Sequence, residues 1–173
     1  KYRTLAENIN IGIFRTSVEE GGRIIYANQA LAKTYGADSP EEMLNLHIAD
    51  IYWNPEDRAA VLSDLFLKGQ VQAYEILLKN KKGEPVWCSI NAQLLYVPDG
   101  TPAWIDGTIE NINERKRTEQ ALRENETLIR SIFENDPTGV CFTINRTFLR
   151  ANRRFCEMIG YSEDELIGQS VRM

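Results

Sequence analysis

The stretch Asn111-Ile-Asn-Glu-Arg-Lys-Arg-Thr-Glu-Gln-Ala-Leu-Arg-Glu-Asn-Glu-Thr-Leu-Ile-Arg-Ser-Ile-Phe133 is a charged run of helical character that lies between two copies of one sequence pattern. In the first copy, Gly12-Ile-Phe14 is followed by Tyr26-Ala-Asn-Gln-Ala-Leu-Ala-Lys-Thr-Tyr-Gly36. In the second copy, Gly139-Val-Cys141 is followed by Arg150-Ala-Asn-Arg-Arg-Phe-Cys-Glu-Met-Ile-Gly160. Because the parts recur in the same order, the chain contains an internal repeat.

The repeat divides the chain into three segments. Leu5-Ala-Glu-Asn8 precedes the first copy as Ile132-Phe-Glu-Asn135 precedes the second. We therefore expect a complete module at residues 1–112, a helical linker at 113–130 and the N-terminal part of a second module at 131–173. This last segment lacks the strands that would cover its apolar side. We expect it to be poorly ordered alone or to pack against another chain.

Composition and charge exclude several classes of protein. With 173 residues, of which 43% are hydrophobic, the chain can bury a core. A net charge of −5 without a basic block predicts no binding to nucleic acid or to an anionic membrane surface. No apolar run reaches the roughly 18 residues that cross a bilayer. Because the chain begins at Lys1 rather than at a methionine, we interpret it as a segment of a longer protein, which could be anchored elsewhere.

The cysteines and the histidine indicate neither a disulfide framework nor a metal site. Cys88, Cys141 and Cys156 are odd in number and form no Cys-x-x-Cys pair. This usage is typical of a reducing compartment and predicts a cytoplasmic location. His47 is the only histidine and has no cysteine near it in sequence, so zinc binding is not expected.

The first half of the module reads as a hairpin followed by helices. Ile9–Ser17 and Arg23–Ala27 predict two strands, and Asn28 is placed to cap a helix that Gly36 would end. Two segments match the capping box of a helix start, Ser39-Pro-Glu-Glu42 and, in the second copy, Ser162-Glu-Asp-Glu165. Asn54-Pro-Glu-Asp57 predicts a longer helix to Lys68, with an apolar face formed by Val61, Leu62, Leu65 and Phe66.

Three strands complete the module, at Val71–Lys79, Val86–Val97 and Ala103–Ile112. The middle strand alternates apolar and polar residues, which is the period of a sheet with one buried face. The apolar file is Val86, Cys88, Ile90, Ala92, Leu94 and Tyr96. The order of elements predicts an α+β fold with short helices on one face of a five-stranded antiparallel sheet and a long C-terminal linker helix.

The elements in this order resemble a PAS domain with its C-terminal motif. The resemblance rests on Tyr26-Ala-Asn, the Pro55-Glu-Asp helix start, the strand of Trp87, the Asp99-Gly turn, and Gly107-Thr-Ile-Glu-Asn-Ile-Asn-Glu-Arg-Lys116. It covers about residues 2 to 116, and the second copy resembles the first half of another PAS domain. Such domains fold as a cupped hand that can enclose a small molecule.

The resemblance assigns signal transmission to Asn111, Ile112 and Asn113. The family pattern has Asp-Ile-Thr at this step, so this chain keeps hydrogen-bonding capacity but lacks the charge. We therefore expect no ion-pair form of the coupling between sheet and helix.

Heptad spacing in the linker predicts a weak parallel coiled coil of about two and a half heptads. Its core positions are Arg115, Leu122 and Ile129 in one file and Thr118, Asn125 and Ile132 in the other. The polar residues in the seam would make pairing marginal, which suits a transmitter. The alternative is a single solvated helix with charge pairs such as Glu119 with Arg123.

Position along the family pattern gives a set of residues expected to line an internal pocket. They are Leu31, Tyr35, Ile48, Tyr52, Val61, Leu65, Cys88, Ile90, Ile105 and Gly107. Because most are apolar, simple core packing is the alternative for each. We expect a small apolar ligand or none, and the ligand's identity is left open.

Haem and covalently bound flavin are not expected. Haem-binding relatives carry their axial ligand in the long helix, which has no histidine here, and His47 lies at a turn. The light-oxygen-voltage branch needs a Gly-x-Asn-Cys-Arg-Phe context, which is absent, and Cys88 lies in the apolar file of its strand. Non-covalent flavin binding is left open as an alternative. No catalytic constellation is present.

The resemblance favours a sensory and dimerising input module of a multidomain signalling protein. We expect a homodimer through the linker helix and the outer sheet face, where Trp87 and Trp104 would lie, and downstream PAS and output domains in the same chain. The expected output is a two-component sensor histidine kinase, on family association alone. A diguanylate cyclase or phosphodiesterase output and a ligand-free dimerisation scaffold are the alternatives.

Overall fold

The computed structural model of the chain describes residues 10–19, 21–44 and 46–171. The motif Leu5-Ala-Glu-Asn8 and the first residue of the expected first strand, Ile9, lie outside the described residues. The chain divides into two compact units, Lys1–Lys116 and Arg117–Met173.

The first unit contains a five-stranded antiparallel sheet in the order β2-β1-β5-β4-β3. The predicted α+β class is confirmed. The strands are β1 (Gly12–Ser17), β2 (Ile24–Ala27), β3 (Gln70–Lys79), β4 (Pro85–Tyr96) and β5 (Pro102–Asn111). Between β2 and β3 lie α1 (Gln29–Tyr35), α2 (Pro40–Met43), α3 (Ile48–Ile51) and α4 (Pro55–Lys68). The predicted linker helix is α5 (Asn113–Asn135), which begins in the first unit and continues into the second.

Asn28 connects β1 to the start of α1 through its buried side-chain amide. Its Oδ1 accepts hydrogen bonds from the backbone N–H of Leu31 at 3.0 Å and of Ile13 at 2.9 Å, and its Nδ2 donates to the carbonyl of Ile11 at 3.0 Å. The amide therefore caps the helix and fixes the neighbouring strand at once. Gly36 ends the helix in the left-handed conformation, at φ 84°, as predicted.

Asn152 repeats this arrangement in the second unit. Its Oδ1 accepts from the N–H of Phe155 and of Val140, both at 2.9 Å, and its Nδ2 donates to the carbonyls of Phe133 and Thr138. The sequence repeat thus reflects one local hydrogen-bond design used twice.

Besides the Asn28 cap, one predicted helix cap forms its side-chain bond and two do not. Ser162 and Glu165 form the reciprocal capping box. Ser39 stands at the N-cap of α2 without making the side-chain cap bond, and its side chain is hydrogen-bonded to Glu41 instead. Glu42 does not return a bond to the N-cap, since it accepts from the N–H of Asp38 and pairs with Lys81. Asn54 likewise precedes α4 without a side-chain cap bond. In these two places the sequence located the helix start correctly but not its hydrogen bonds.

The alternation in β4 buries its apolar file against the helices. Val86, Cys88, Ile90, Ala92 and Leu94 are all buried. Tyr96, which the sequence assigned to the same file, is 52% exposed, because the pairing of β4 with β5 shifts register between Leu95 and Tyr96. The core of the first unit therefore lies between this sheet face and helices α1 to α4.

The second unit contains the hairpin β6 (Cys141–Ile144) and β7 (Thr147–Ala151), followed by α6 (Arg153–Ile159) and α7 (Glu163–Leu166). Whether this segment is ordered without another chain stays a prediction. Several apolar side chains of the unit are exposed, namely Phe142, Ile144, Leu149, Met158 and Ile159. Packing of this side against another chain stays a prediction.

Candidate functional site

A cavity of about 40 Å³ lies between the inner face of the sheet and the helices of the first unit. All of the residues predicted to line a pocket, except Gly107, line this cavity. They are Leu31, Tyr35, Ile48, Tyr52, Val61, Leu65, Cys88, Ile90 and Ile105. Sequence reasoning missed further wall residues, including Phe14, Met43 and Arg58. Whether the cavity holds a ligand stays a prediction.

Gly107 does not line this cavity. A methyl group added to Gly107 would lie 2.5 Å from Cζ of Phe14 and 2.6 Å from the carbonyl oxygen of Asn91. The glycine is therefore a position where two strands and a ring come too close for any side chain. Its role is to allow β1, β4 and β5 to pack together.

The cavity wall is mostly aliphatic, but one charged side chain is buried in it. Arg58, in the first turn of α4, is only 4% exposed, and its Nε and Nη2 are buried with no hydrogen-bond partner in the part of the chain that the structure describes. The signal for it was available in the sequence. Arg58, Val61 and Leu65 follow one another at helical spacing, so all three fall on the buried face.

Tyr52 and Cys88 provide two further titratable groups of the cavity wall. Burial raises the pKa of the Tyr52 hydroxyl, and the charge and hydrogen bonding of Arg58 act in the opposite direction. Burial raises the pKa of the Cys88 thiol to about 12. The thiol therefore remains protonated and behaves as a small core side chain rather than as a nucleophile.

The junction between the sheet and α5 is built around the backbone of Trp87 on β4. Its N–H donates to Oδ1 of Asn113 at 2.9 Å, and its carbonyl accepts from the N–H of Ile112 at 2.9 Å. The N–H of Asn113 in turn donates to Oδ1 of Asn111 at 2.9 Å. The three residues predicted to transmit the signal thus meet at the first turn of the helix, where the side chains of the two asparagines and the backbone N–H of Ile112 make the bonds.

An ion-pair cluster at the same junction corrects the expectation that charge coupling is lost. Glu75 on β3 accepts from Nη2 of Arg115 at 2.5 Å and also pairs with Lys116. These contacts hold the pKa of Glu75 below its ordinary value, chiefly through the hydrogen bond from Lys116. Lys116 also lies 5.0 Å from the centre of the Trp87 ring. The charge missing from residues 111–113 is supplied by β3 instead.

The predicted coiled-coil seam is exposed along the single chain. Leu122, Ile129 and Ile132 are between 56% and 60% exposed, and Asn125 is exposed as well. On the outer sheet face Trp104 is 37% exposed, and the guanidinium of Arg15 lies 5.4 Å from the centre of its ring. Dimerisation through these surfaces stays a prediction.

The residues that could bind a metal are dispersed. Across the described ranges, no group of three or more His, Cys, Asp and Glu side chains is placed to hold an ion. His47 precedes α3, pairs through its backbone with Arg23, and does not line the cavity. No helix in the described part of the chain combines the length and apolar character needed to cross a membrane.

Comparison with known families decides the classification. A PAS domain model matches residues 10–114, and a second PAS domain model matches residues 127–173. The chain belongs to the PAS family. The first match covers the unit with the five-stranded sheet, and the second match begins within α5.

The similar proteins are signalling proteins. The chain is 32% identical to a probable diguanylate cyclase, DgcE of Escherichia coli, over 71% of this chain and 11% of the relative. It is 23% identical to the two-component sensor PprA of Pseudomonas aeruginosa over 98% of this chain and 18% of the relative. Among solved structures, an RNA-binding light-oxygen-voltage receptor is 19% identical with a TM-score of 0.60, covering 75% of this chain and 37% of that one. That structure shows the shared fold alone.

The chain spans less than a fifth of the length of these two relatives. It corresponds to a PAS sensor module of the kind that bacterial signalling proteins carry, and such a module is not itself catalytic. The activity of a whole protein containing it is a matter for proposal.

Proposed function

We propose that this chain is the sensory and dimerising input segment of a multidomain signalling protein whose output is a two-component sensor histidine kinase. The observation that carries the proposal is the position of β4, which touches the cavity and the junction through adjacent residues. Cys88 faces the cavity, and the backbone of the preceding Trp87 holds the first turn of α5. A displacement of this strand acts on the exit helix directly.

Ligand or partner binding changes the position of β4, and the hydrogen bonds of Trp87 transmit that change to α5. A ligand shifts such an equilibrium only by its differential affinity for the two states. A tenfold preference corresponds to about 1.4 kcal/mol, which is similar to the net contribution of one or two hydrogen bonds. The two backbone bonds of Trp87 and the ion pairs of Glu75 are therefore enough to bias the helix.

The exit helix passes the change to a second chain and to the downstream PAS unit. The exposed apolar residues Leu122, Ile129 and Ile132 supply the apolar positions of a parallel seam, and the polar Asn125 between them favours a fixed register. Trp104 on the outer sheet face supplies a second contact between protomers. A marginal seam of this kind responds to small changes in helix rotation or pitch.

The histidine-kinase output is supported by the similarity to PprA, which extends over 98% of the chain. We place the segment in the cytoplasm, since Cys88, Cys141 and Cys156 are all free. A diguanylate cyclase output is the second candidate, supported by the 32% identity to DgcE. A dimerisation scaffold without a ligand is a third, supported by the small volume of the cavity.

The test uses the full-length protein that contains this segment. We expect autophosphorylation on incubation with labelled ATP and a change of its rate in the Asn113→Ala variant, which removes the acceptor for the N–H of Trp87. Asn54→Ala is the matched control, because Asn54 makes no side-chain cap bond.

Formation of cyclic diguanylate from GTP without phosphorylation would replace the kinase output with the second candidate. An unchanged output in Asn113→Ala would contradict the transmission route whatever the output is. Light scattering of residues 1–173 tests the dimer, and a monomer at all concentrations would contradict that part of the proposal.

A further inference from the structure

The cavity of the first PAS unit contains a buried positive charge, Arg58, for which the described residues supply no counter-ion. Arg58 is 4% exposed and is hydrogen-bonded to the Tyr52 side chain, but within the described ranges its Nε and Nη2 have no hydrogen-bond partner. Among the described residues, no carboxylate forms an ion pair with it. A buried charge that is unpaired destabilises a fold strongly, so native proteins normally supply a counter-charge. This arginine is therefore the unexplained group of the cavity.

The guanidinium of Arg58 packs against the backbone of Gly22, in the turn between β1 and β2. A methyl group added to Gly22 would lie 2.6 Å from Nη2 of Arg58 and 2.3 Å from Cγ2 of Ile48. Gly22 also has a φ of +55°, a conformation that other residues rarely adopt. Gly22 therefore shields the guanidinium on that side, and Arg58 also lines the cavity, from which a partner can reach it.

The other cavity residues define what that partner is. The described residues that line the cavity include two cations, Arg58 and Lys79, and no acid. Tyr52, which is 3% exposed, adds a hydroxyl near the arginine, and the remaining wall is almost entirely aliphatic and aromatic. A carboxylate fits a guanidinium fork with two parallel hydrogen bonds, and an aliphatic tail fits the rest of the wall.

The volume limits the length of the tail. A cavity of about 40 Å³ has room for about three water molecules, or for a molecule of similar size. A flavin, a haem or a long fatty acid does not fit this space. A carboxylate of about two to four carbons does, given the adjustment of side chains that usually accompanies binding.

We propose that the first PAS unit binds a short-chain monocarboxylate, with Arg58 as the anion-binding residue and Tyr52 as a second donor. The proposal deepens the proposed function, on which it rests, by naming the chemical class of the signal. Binding would satisfy both unpaired nitrogens of Arg58 and place the tail against Cys88 and its neighbours on β4, the strand that holds the exit helix.

The test compares a carboxylate with its uncharged analogue on residues 1–173. Sodium propionate is titrated by calorimetry and by thermal unfolding, with propionamide and sodium chloride as matched probes. We expect saturable binding of propionate, and binding of propionamide weaker by about ten- to hundredfold, since the charged hydrogen bonds are lost. No saturable binding of propionate would overturn the proposal. Equal binding of the amide, or equal stabilisation by chloride at the same concentration, would also overturn it.

A pair of variants assigns the site. Arg58→Met keeps the aliphatic volume and removes the charge, so we expect it to raise the melting temperature of the unliganded protein and to abolish the response to propionate. Arg23→Met, at an exposed arginine of the same unit, should change neither. Retained propionate binding in Arg58→Met would refute the assignment of Arg58. If this variant does not fold, Tyr52→Phe is used instead, and unaltered propionate affinity there would refute the role of Tyr52.

Failure of the carboxylate site can be distinguished from failure of the proposed signalling function. Propionate binding is measured on the segment itself, whereas signalling is measured as output of the full-length protein. Binding without any change in output upholds the carboxylate site and contradicts transmission through the junction. Output that responds to Asn113→Ala but a segment that does not bind propionate upholds transmission and contradicts the carboxylate site.

Discussion

Asn28→Ala is the change that best tests how the first unit is held together. The Asn28 side chain is 4% exposed and serves β1 and α1 at the same time. Alanine removes the acceptor for the N–H groups of Leu31 and Ile13 and the donor to the carbonyl of Ile11. Alanine is smaller than asparagine, so the substitution introduces no steric clash.

The expected cost follows from the fate of these backbone groups. The bond to Leu31 is buried, and a buried donor left unsatisfied costs about 1–3 kcal/mol. The bonds to Ile13 and Ile11 are only partly buried, so water can replace some of their energy. Adding about 1 kcal/mol for these gives a loss of about 2–4 kcal/mol in the free energy of unfolding. For a unit of this size, that corresponds to a fall in melting temperature of about 8–16 °C.

Urea unfolding followed by tryptophan fluorescence isolates the unit concerned. Trp53, Trp87 and Trp104 are the three tryptophans of the chain, and all lie in the first unit. We expect Asn28→Ala to lower the urea midpoint without changing the slope of the transition. Asn54→Ala is the control, because its side chain makes no cap bond, and we expect it to cost less than about 0.5 kcal/mol.

The result that would refute this reasoning is equality of the two variants. If Asn28→Ala unfolds at the same urea concentration as Asn54→Ala, the hydrogen bonds of Asn28 do not hold strand and helix together. This result would also contradict the interpretation that Asn28 and Asn152 play the same stabilising role in the two copies of the repeat.

Three other predictions concern the junction, the cavity and the sheet. Because the pKa of Glu75 is lowered in the folded protein, its ion pairs stabilise the fold above the ordinary pKa of 4.5, and this stabilisation is lost as the pH falls through the lower folded pKa. Glu75→Gln should remove that part of the acid dependence of the free energy of unfolding. Glu110→Gln, at an exposed position of β5, should not. The same acid dependence in both variants would contradict it. The Cys88 thiol, with a pKa of about 12, should resist a thiol-specific reagent at pH 8 in the folded protein and react on unfolding; reaction of all three cysteines at one rate before unfolding would be the contrary result. Gly107→Ala should destabilise the first unit by about 1–3 kcal/mol, because the added methyl meets Phe14 and a backbone oxygen. An unchanged urea midpoint would show that the strands can separate at no cost.

Local patterns predicted the elements of the first unit well. The three C-terminal strands begin and end within one residue of the predicted bounds, and α4 ends at Lys68 as expected. Alternation every second residue and helical spacing are set by backbone geometry, so they can be read without knowing the fold. The Asn28 cap and the Gly36 stop were predicted for the same reason, since both depend on residues within one turn.

Most of the residues predicted to line the pocket lie together in the structure, because the period of a strand and the period of a helix determine which residues share a face. Gly107 does not line the cavity, because Phe14 and Asn91, on other strands, fill the space beside it. Tyr96 is exposed rather than buried with its file, because the pairing register shifts at the end of β4. Neither fact is encoded within the strand itself.

By itself, the sequence determined the repeat, the order of helices and strands, the α+β class and the position of the exit helix, since each follows from interactions between residues close in the chain. Only the tertiary structure decided which charges meet. It placed Glu75 beside Arg115 and Lys116, forty and forty-one residues away, and buried Arg58 in an apolar cavity with no counter-ion among the described residues. Charge pairing acts through space between distant segments, so its outcome depends on how the strands and helices pack against one another.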